Sequence, residues 1–551
     1  MENTTIKMQG KGMRVPLYSK VSDLFPKEKN KGYEGNPVVG VLLNGVLSPL
    51  SERIEGESTV EEVRLFSTLG RRVYRRTLTL LLFYASSIVY PARALRIAHS
   101  LGDGYYFQYE DGESLDVGKL EKVMRHAVSE SMKIESIYLT HEKALDYLSK
   151  SNSKETIELL MTLNDENYRF LKIGSYMQLY TEPVLEDVSL LTLWELRSYS
   201  SGMLLRYPQS RSIKTINKFA DNPLLFSVFE ETRRDEKRIG INSLGALNHK
   251  QSEGEIEEAV LMMETLQRKK IMEIAEKAIK KEEVKVIFIA GPSSSGKTTF
   301  SLKLSENLKV LGKKPVKISI DDYYKPRCEV PRDENGDYDF EALDALALDL
   351  FRSQIDALTR GNGVHIPSFS FKSQKRTFQE KETVMDEDTV LVIEGIHGLN
   401  PKLIPSLDGK YIFRIYISAL TSLNLDSSTR ISTTDNRIIR RMVRDNRTRG
   451  IGALETISRW PSVERGEKDN IFPYQNNADV MMNSALDYEL GVLAPMAMPL
   501  LRSVDKKEEE AYAVARRLLA FLSFFYPING IHVPSDSLLR EFIGGSIYQA
   551  I

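Results

Sequence analysis

Short apolar, β-branched runs alternate with longer stretches of helical spacing along the chain. Val38–Leu43, with turn signals at Asn44-Gly45 and Gly56, predicts a small β-rich module at the start. An apolar helix is predicted over Arg71–Tyr90, closed by Pro91. Gly102–Gly112 alternates aromatic and polar residues and reads as a strand, and Tyr168–Leu179 reads as another. Residues 211–253 give mixed loops and short helices without defensible chemistry. Over Glu255–Glu283, Ile256, Ala259, Val260, Met263, Leu266, Ile274 and Ala278 fall near helical spacing in a charge-dense stretch, which predicts an amphipathic connector helix. Three apolar runs then follow, Val284–Ile289, Val316–Ile320 and Thr389–Ile393, with helical patterns between them. That alternation predicts an α/β fold with a parallel sheet and helices on both faces. The apolar runs Leu78–Tyr90 and Leu518–Tyr526 fall short of the roughly 18 residues a membrane span needs and read as buried helices.

The first of the three strands runs into Gly291-Pro292-Ser293-Ser294-Ser295-Gly296-Lys297-Thr298-Thr299. This Gly-x-x-x-x-Gly-Lys-Thr spacing is the phosphate-loop pattern. Gly291 and Gly296 let the backbone turn so that successive amides converge on phosphate oxygens. Lys297 supplies a point charge for the β- and γ-phosphates, and the Thr298 hydroxyl suits Mg²⁺. Phe300, Leu302, Leu304 and Leu308 give the following helix an apolar face, with its positive end under the phosphates and Gly312 as its stop. The strand before and the helix after make this a nucleotide site.

Composition narrows the classes. Of 551 residues, 75 are Lys or Arg and 76 Asp or Glu, a net charge of −1, so no global field favours a polyanion or a membrane surface. A single cysteine, Cys328, rules out an internal disulfide framework or a thiolate metal cluster and fits a reducing compartment. Without a basic-then-apolar leader at Met1, a cytoplasmic protein is expected.

Acidic residues follow the second and third strands. Asp321-Asp322 stand after Val316–Ile320 and Glu394 after Thr389–Ile393, where ligands of a parallel sheet gather. A carboxylate there could take a proton from an attacking hydroxyl or hold Mg²⁺. Further on, Arg437, Arg440, Arg441, Arg444, Arg447 and Arg449 lie in one helical pattern ended by Gly450. Three readings fit: forked donors on a lid over a transferring phosphoryl group, a surface helix paired with acids, or an RNA-binding patch.

In this order the motifs resemble the uridine kinase and phosphoribulokinase family over about residues 284–500. The resemblance implies Asp321 as general base, Glu394 with Thr298 on the metal side, and Arg441, Arg444 and Arg449 as phosphate contacts; Asp321 is a further candidate for the Mg²⁺ side. Tyr324, Phe340 and Glu341 fall on the segments that hold the acceptor. Glu341 stands where the family has Asp. Phe369 and Gln374 stand where uridine kinases carry Tyr and His to read the pyrimidine. Phosphoryl-transfer parts thus look complete while the base-reading part is altered.

The first part of the chain bears a second resemblance. Residues 1–66 are similar to the ubiquitin-like β-grasp module of threonyl-tRNA synthetases, and the stretch after it to their editing region. Tyr74-Arg75-Arg76, Pro91, Gly104–Phe107 and Ile173–Leu179 keep that family's spacing. Where the family places His-x-x-x-His and Cys-x-x-x-His, this chain has Arg76, Leu80, Tyr180 and Val184, none of which binds metal or relays a proton as imidazole or thiolate does. The fold is expected without the editing chemistry, and His99, His126 and His141 read as ordinary histidines. The remaining cleft could bind a small ligand, bind RNA, or pack against the kinase half.

The expected organisation is 1–66 β-grasp, 67–225 editing-like, 226–283 helical connector, 284–525 phosphate-loop kinase and 526–551 tail. The leading expectation is a kinase using ATP and Mg²⁺ to phosphorylate a hydroxyl of a nucleoside-like (uridine- or cytidine-type) or sugar-like small molecule. The alternative is an RNA- or tRNA-associated protein using nucleotide binding as a switch. Acceptor identity and oligomeric state, a homo-oligomer included, are left open.

Overall fold

The computed structural model describes residues 3–25, 35–113, 115–208, 215–281, 283–332, 336, 338–370 and 373–548. Phe371 and Lys372 of the hairpin motif lie outside them.

Strands β1 (Asn3–Met8), β2 (Lys11–Pro16), β3 (Val38–Leu43), β4 (Val46–Ser48) and β5 (Ser58–Arg64) form a mixed sheet in the order β2-β1-β5-β3-β4. Its inner face carries Ile6, Val15, Val41 and Val60, as the period-two alternation of strands requires. Ser67 then caps helix α1 (Thr68–Val89), its hydroxyl accepting from the Gly70 amide at 3.0 Å. Gly70 is required there, because a Cβ would stand 2.0 Å from the Arg64 carbonyl.

Around α1 lie β6 (Leu95–Leu101), β7 (Gly104–Tyr109), α2 (Val117–Ser129), β8 (Glu135–Thr140), α3 (His141–Lys150), α4 (Lys154–Leu163), β9 (Asn167–Ile173), β10 (Tyr176–Leu179), β11 (Glu195–Tyr199) and β12 (Gly202–Arg206). They make one sheet ordered β11-β12-β7-β6 and another ordered β10-β9-β8. The single strand expected over Tyr168–Leu179 is a hairpin instead. Gly174, in the left-handed region, turns the chain so that Ile173 pairs with Tyr176.

Helices α5 (Pro223–Ile239), α6 (Leu244–Ser252) and α7 (Ile256–Ile279) lead to a second sheet. Its five strands are all parallel: β13 (Val286–Ala290), β14 (Lys314–Ser319), β17 (Thr389–Glu394), β18 (Ile412–Ser418) and β21 (Val480–Asn483), in the order β14-β17-β13-β18-β21. Two hairpins branch from it, β15 (Pro367–Ser370) with β16 (Lys375–Phe378), and β19 (Asn424–Asp426) with β20 (Thr429–Arg430).

Strand β13 is buried on both faces, as its unbroken apolar run requires. Val286 and Phe288 pack on one side with Phe351 and Ile355 of helix α9 (Leu348–Thr359). Ile287 and Ile289 face Phe300 and Leu304 of helix α8 (Lys297–Val310) and Ile271, Ile274 and Ala275 of α7. The connector helix thus covers one face of the kinase sheet.

The remaining helices are α10 (Thr433–Arg449), α11 (Ala453–Asn470), α12 (Glu489–Arg502), α13 (Glu509–Leu522) and α14 (Arg540–Ile543). Helix α13 stops short of the expected Tyr526. Pro527 disfavours helix in the residue before it, and the Tyr526 amide donates to Asn248 Oδ1 at 3.0 Å. Among the described residues no helix is long and apolar enough to cross a membrane.

Among the described residues the largest fully buried side chain is Arg440. It pairs with the buried Glu489 at 2.5–2.9 Å and donates to the Ser484 carbonyl at 2.8 Å. Removing one member of a buried pair leaves an uncompensated charge. Arg440→Ala is therefore expected to lower stability by about 3–5 kcal/mol in chemical denaturation. Loss below about 1 kcal/mol would contradict the pairing.

Candidate active site

The phosphate loop follows the carboxyl end of β13. Gly291 passes so close to β18 that a Cβ would sit 1.9 Å from the Ile417 carbonyl. Gly296, at φ 83°, makes the left-handed turn into α8, a conformation other residues adopt only under strain. Ser294 and Ser295 are buried in the turn. Lys297 is the first helical residue, and its Nζ folds back to the carbonyls of Gly291 (2.9 Å) and Pro292 (3.1 Å). Carboxylates from two helices outside the sheet also touch the loop. Glu467 of α11 accepts the Ser293 amide at 2.9 Å, and Glu541 of α14 accepts from Thr299.

The two strand-end acids converge on this lysine. Burial raises the Asp321 carboxyl; Lys297 opposes the shift, Asp322 adds to it, and Arg449 opposes it. Glu394, at the end of β17, is raised to about 7 by burial and then by Asp321, with Lys297 again opposing. Glu341 is raised to about 7 by burial, Glu467 and Asp321, against Lys297 and Arg441. Lys297, Asp321, Glu341, Glu394, Arg441 and Arg449 therefore share one electrostatic environment. Of the paired acids, Asp321 belongs to that centre. Asp322 turns away and accepts the Phe369 amide at 3.0 Å, fixing the β15 hairpin.

Mg²⁺ takes oxygen ligands from hydroxyls, carboxylates, phosphates and water. Thr298 Oγ1 and Ser319 Oγ each lie 3.4 Å from Glu394 Oε1, an oxygen set that fits this ion. No group of three or more His, Cys, Asp or Glu suited to a metal occurs among the described residues.

The arginine helix α10 divides its labour by face. Arg437 pairs with Glu467 and donates to the Ser293 carbonyl at 2.9 Å, while Arg440 reaches the Ser294 carbonyl at 3.4 Å. Both are buried and hold α10 against the phosphate loop. Arg441 donates to Ser293 Oγ at 3.0 Å. Buried Asp445 gathers Arg441 (3.4 Å), Arg444 (2.8 Å) and Arg449 (3.5 Å). Asp445, Arg437 and Glu467 carry this arrangement; the four-residue steps Arg441, Asp445 and Arg449 hint at part of it in sequence, and nothing local marks Glu467. Arg447 binds carbonyls of the C-terminal segment.

On the acceptor side, Tyr324 is buried, its hydroxyl donating to the Phe340 carbonyl at 2.8 Å. Its ring packs on Phe340 (6.2 Å) and Phe369 (6.4 Å), and Arg376 ties the hairpin to the Tyr323 and Tyr324 carbonyls. Gln374 takes a left-handed conformation at the hairpin turn, its backbone amide donating to the Ser370 carbonyl at 2.7 Å.

The editing-like cleft is filled from within the chain. Arg76 donates to the Ser428 carbonyl (2.9 Å) and Thr429 Oγ1 (3.2 Å), and the Ile97 amide donates to the Ser427 carbonyl (2.9 Å). The hairpin β19–β20 of the kinase half therefore occupies it. Leu80 and Val184 are core residues, and the Tyr180 ring lies under Arg169 at 4.1 Å. His99 is buried against Phe229, its rings 4.1 Å apart, and burial holds its pKa well down. His126 is exposed and His141 Nδ1 meets the Tyr168 hydroxyl at 3.2 Å.

Residues 286–490 match the Phosphoribulokinase / Uridine kinase family. A uridine kinase from Staphylococcus aureus (strain JH9) is 28% identical over 203 residues, covering 36% of this chain and 86% of that protein. A threonine–tRNA ligase from Acetivibrio thermocellus is 24% identical over 208 residues, covering 36% of this chain and 33% of that protein. The chain thus spans about a third of the length of that ligase. A solved structure described as a possible uridine kinase from Bacillus stearothermophilus covers 39% of this chain and 98% of its own, at 16% identity and a TM-score of 0.28. The chain joins a threonine–tRNA ligase-like N-terminal part to a phosphoribulokinase/uridine kinase-family domain.

The raised carboxyls of Glu394 and Glu341 set a pH dependence. Between the ordinary carboxylate range and pH 7 the folded chain keeps protons that the unfolded chain has released. That contribution is complete below about pH 4.5 and is lost as pH rises through 7. Thermal unfolding of the ligand-free protein is expected to show a smaller drop from about pH 5 to about pH 8 in Glu394→Gln than in wild type. An identical drop would contradict the assigned shift.

Proposed function

We propose that the chain is an ATP- and Mg²⁺-dependent kinase that phosphorylates a hydroxyl of a nucleoside-like or sugar-like small molecule. The observation that carries this is the position of Asp321, an acid at a strand end that shares one electrostatic environment with the phosphate-loop lysine and Arg449. Loop amides and Lys297 hold the triphosphate, with Arg441, Arg444 and Arg449 on the transferring phosphoryl. Thr298 and Glu394 would hold Mg²⁺, which offsets phosphate charge when bound. Asp321 takes the proton of the acceptor hydroxyl, and the phosphoryl passes to that oxygen with ADP as leaving group.

The acceptor lies against Tyr324, Phe340, Glu341 and Phe369. Phe369 offers a ring face without a hydroxyl, so this wall favours stacking over hydrogen-bonded base reading. Silence toward uridine and cytidine with ADP binding intact would point to a different hydroxyl acceptor.

Asp321→Asn is expected to leave ATP binding nearly intact and lower kcat by on the order of 10²–10⁴-fold. The assay is ATP consumption with Mg²⁺ across nucleosides and ribose derivatives, with Lys297→Ala as blank. Turnover equal to wild type in Asp321→Asn would remove the proton-acceptor role.

A further inference from the structure

The last described stretch of chain lies along α8, the helix that begins at the phosphate loop. Asp536 pairs with Lys303 at 3.0 Å and Arg268 at 2.8 Å, and these cations hold its carboxyl far below the usual range. Leu538, Leu539 and Phe542 are fully buried, and the Tyr548 hydroxyl donates to Glu306 at 2.6 Å. The segment is therefore anchored at several points independent of Glu541.

Glu541 Oε2 accepts both the Thr299 amide (3.3 Å) and the Thr299 hydroxyl (2.9 Å). That amide is one of the first-turn donors a helix leaves unpaired, here at the start of the phosphate-binding helix. Phosphate and carboxylate oxygens ask for the same donors, and two anions cannot share them in a buried turn. The Glu541 charge also reaches Glu394, adding to the upward shift of its carboxyl. Arg447 of α10 donates to the backbone oxygens of Glu541 (2.9 Å) and Phe542 (3.1 Å), so the arginine helix fixes where this carboxylate stands.

We propose that Glu541 is an internal competitor for the donor nucleotide, filling a phosphate position at the start of α8 and setting nucleotide affinity by having to leave it. This rests on the nucleotide-site reading above. Because the flanking residues are anchored, a side-chain rotation suffices and the segment itself stays docked. A carboxylate serving only as a helix cap would have the opposite signature, since its loss would weaken the loop and the site together.

The test is calorimetric titration of the full chain with ADP, with and without Mg²⁺. Glu541→Ala is expected to bind on the order of tenfold tighter than wild type. Glu541→Gln should gain less, because an amide oxygen can still accept from Thr299. Arg447→Ala should shift in the same direction, while Glu306→Ala, which removes the distant Tyr548 contact, should match wild type. Lys297-dependent binding that is equal or weaker in Glu541→Ala and Glu541→Gln overturns the inference. Absence of Lys297-dependent binding in every variant overturns the nucleotide-site reading itself. If Glu541→Ala does not fold, Glu541→Gln and Arg447→Ala decide.

Discussion

Two buried guanidiniums hold the second half of this chain together. Arg437 and Arg440 each neutralise a buried glutamate and use remaining donors on the carbonyls of Ser293 and Ser294. A buried charge is tolerated only when paired and hydrogen-bonded, so these contacts leave α10 one way to lie against the phosphate loop. Arg441, Arg444 and Arg449 are aimed by that placement, with Asp445 as their common anchor. A surface helix of the same sequence would carry its arginines as independent charges. This one carries a loop clamp and an arginine cluster gathered on Asp445 side by side.

The same helix ties the ends of the chain to its centre. At its start, Asp435 pairs with Arg517 of α13 at 2.5 Å and lies 3.9 Å from Arg72 of α1. At its end, Arg447 grips the C-terminal segment. The synthetase-like part touches the kinase part where Arg76 meets the hairpin β19–β20. Arg76 is long enough and rich enough in donors to hold a backbone carbonyl and a hydroxyl of β19–β20 together. Of the three uses considered for the editing-like cleft, packing against the kinase half is the one these contacts show.

The parallel sheet, phosphate loop and strand-end acids are legible in the sequence because each is local. An apolar β-branched run, a glycine spacing or an acid after a strand needs no distant partner to be recognised. The three-dimensional partners are not legible. Nothing near Asp322 announces that it turns toward Phe369 while Asp321 faces Lys297, since both follow the same strand. Nor does the composition of residues 526–551 mark Glu541, whose meaning comes from Thr299, 242 residues earlier. Tyr168–Leu179 reads as a single strand because a glycine inside a β-like pattern does not declare itself a turn; only the pairing of Ile173 with Tyr176 shows Gly174 in that role.

The contact between Arg76 and Ser428 joins positions 352 residues apart. During synthesis the cleft that holds this hairpin emerges long before the hairpin does. At ribosomal rates of about 5–20 residues per second, the interval is on the order of tens of seconds. Throughout it Arg76 has no Ser428 carbonyl to bind, and a first half that folds in that interval does so with the cleft open. The two parts resemble separate families, yet the first is finished only when the second arrives, and the nascent chain passes through a stage that exposes a pocket the completed protein conceals.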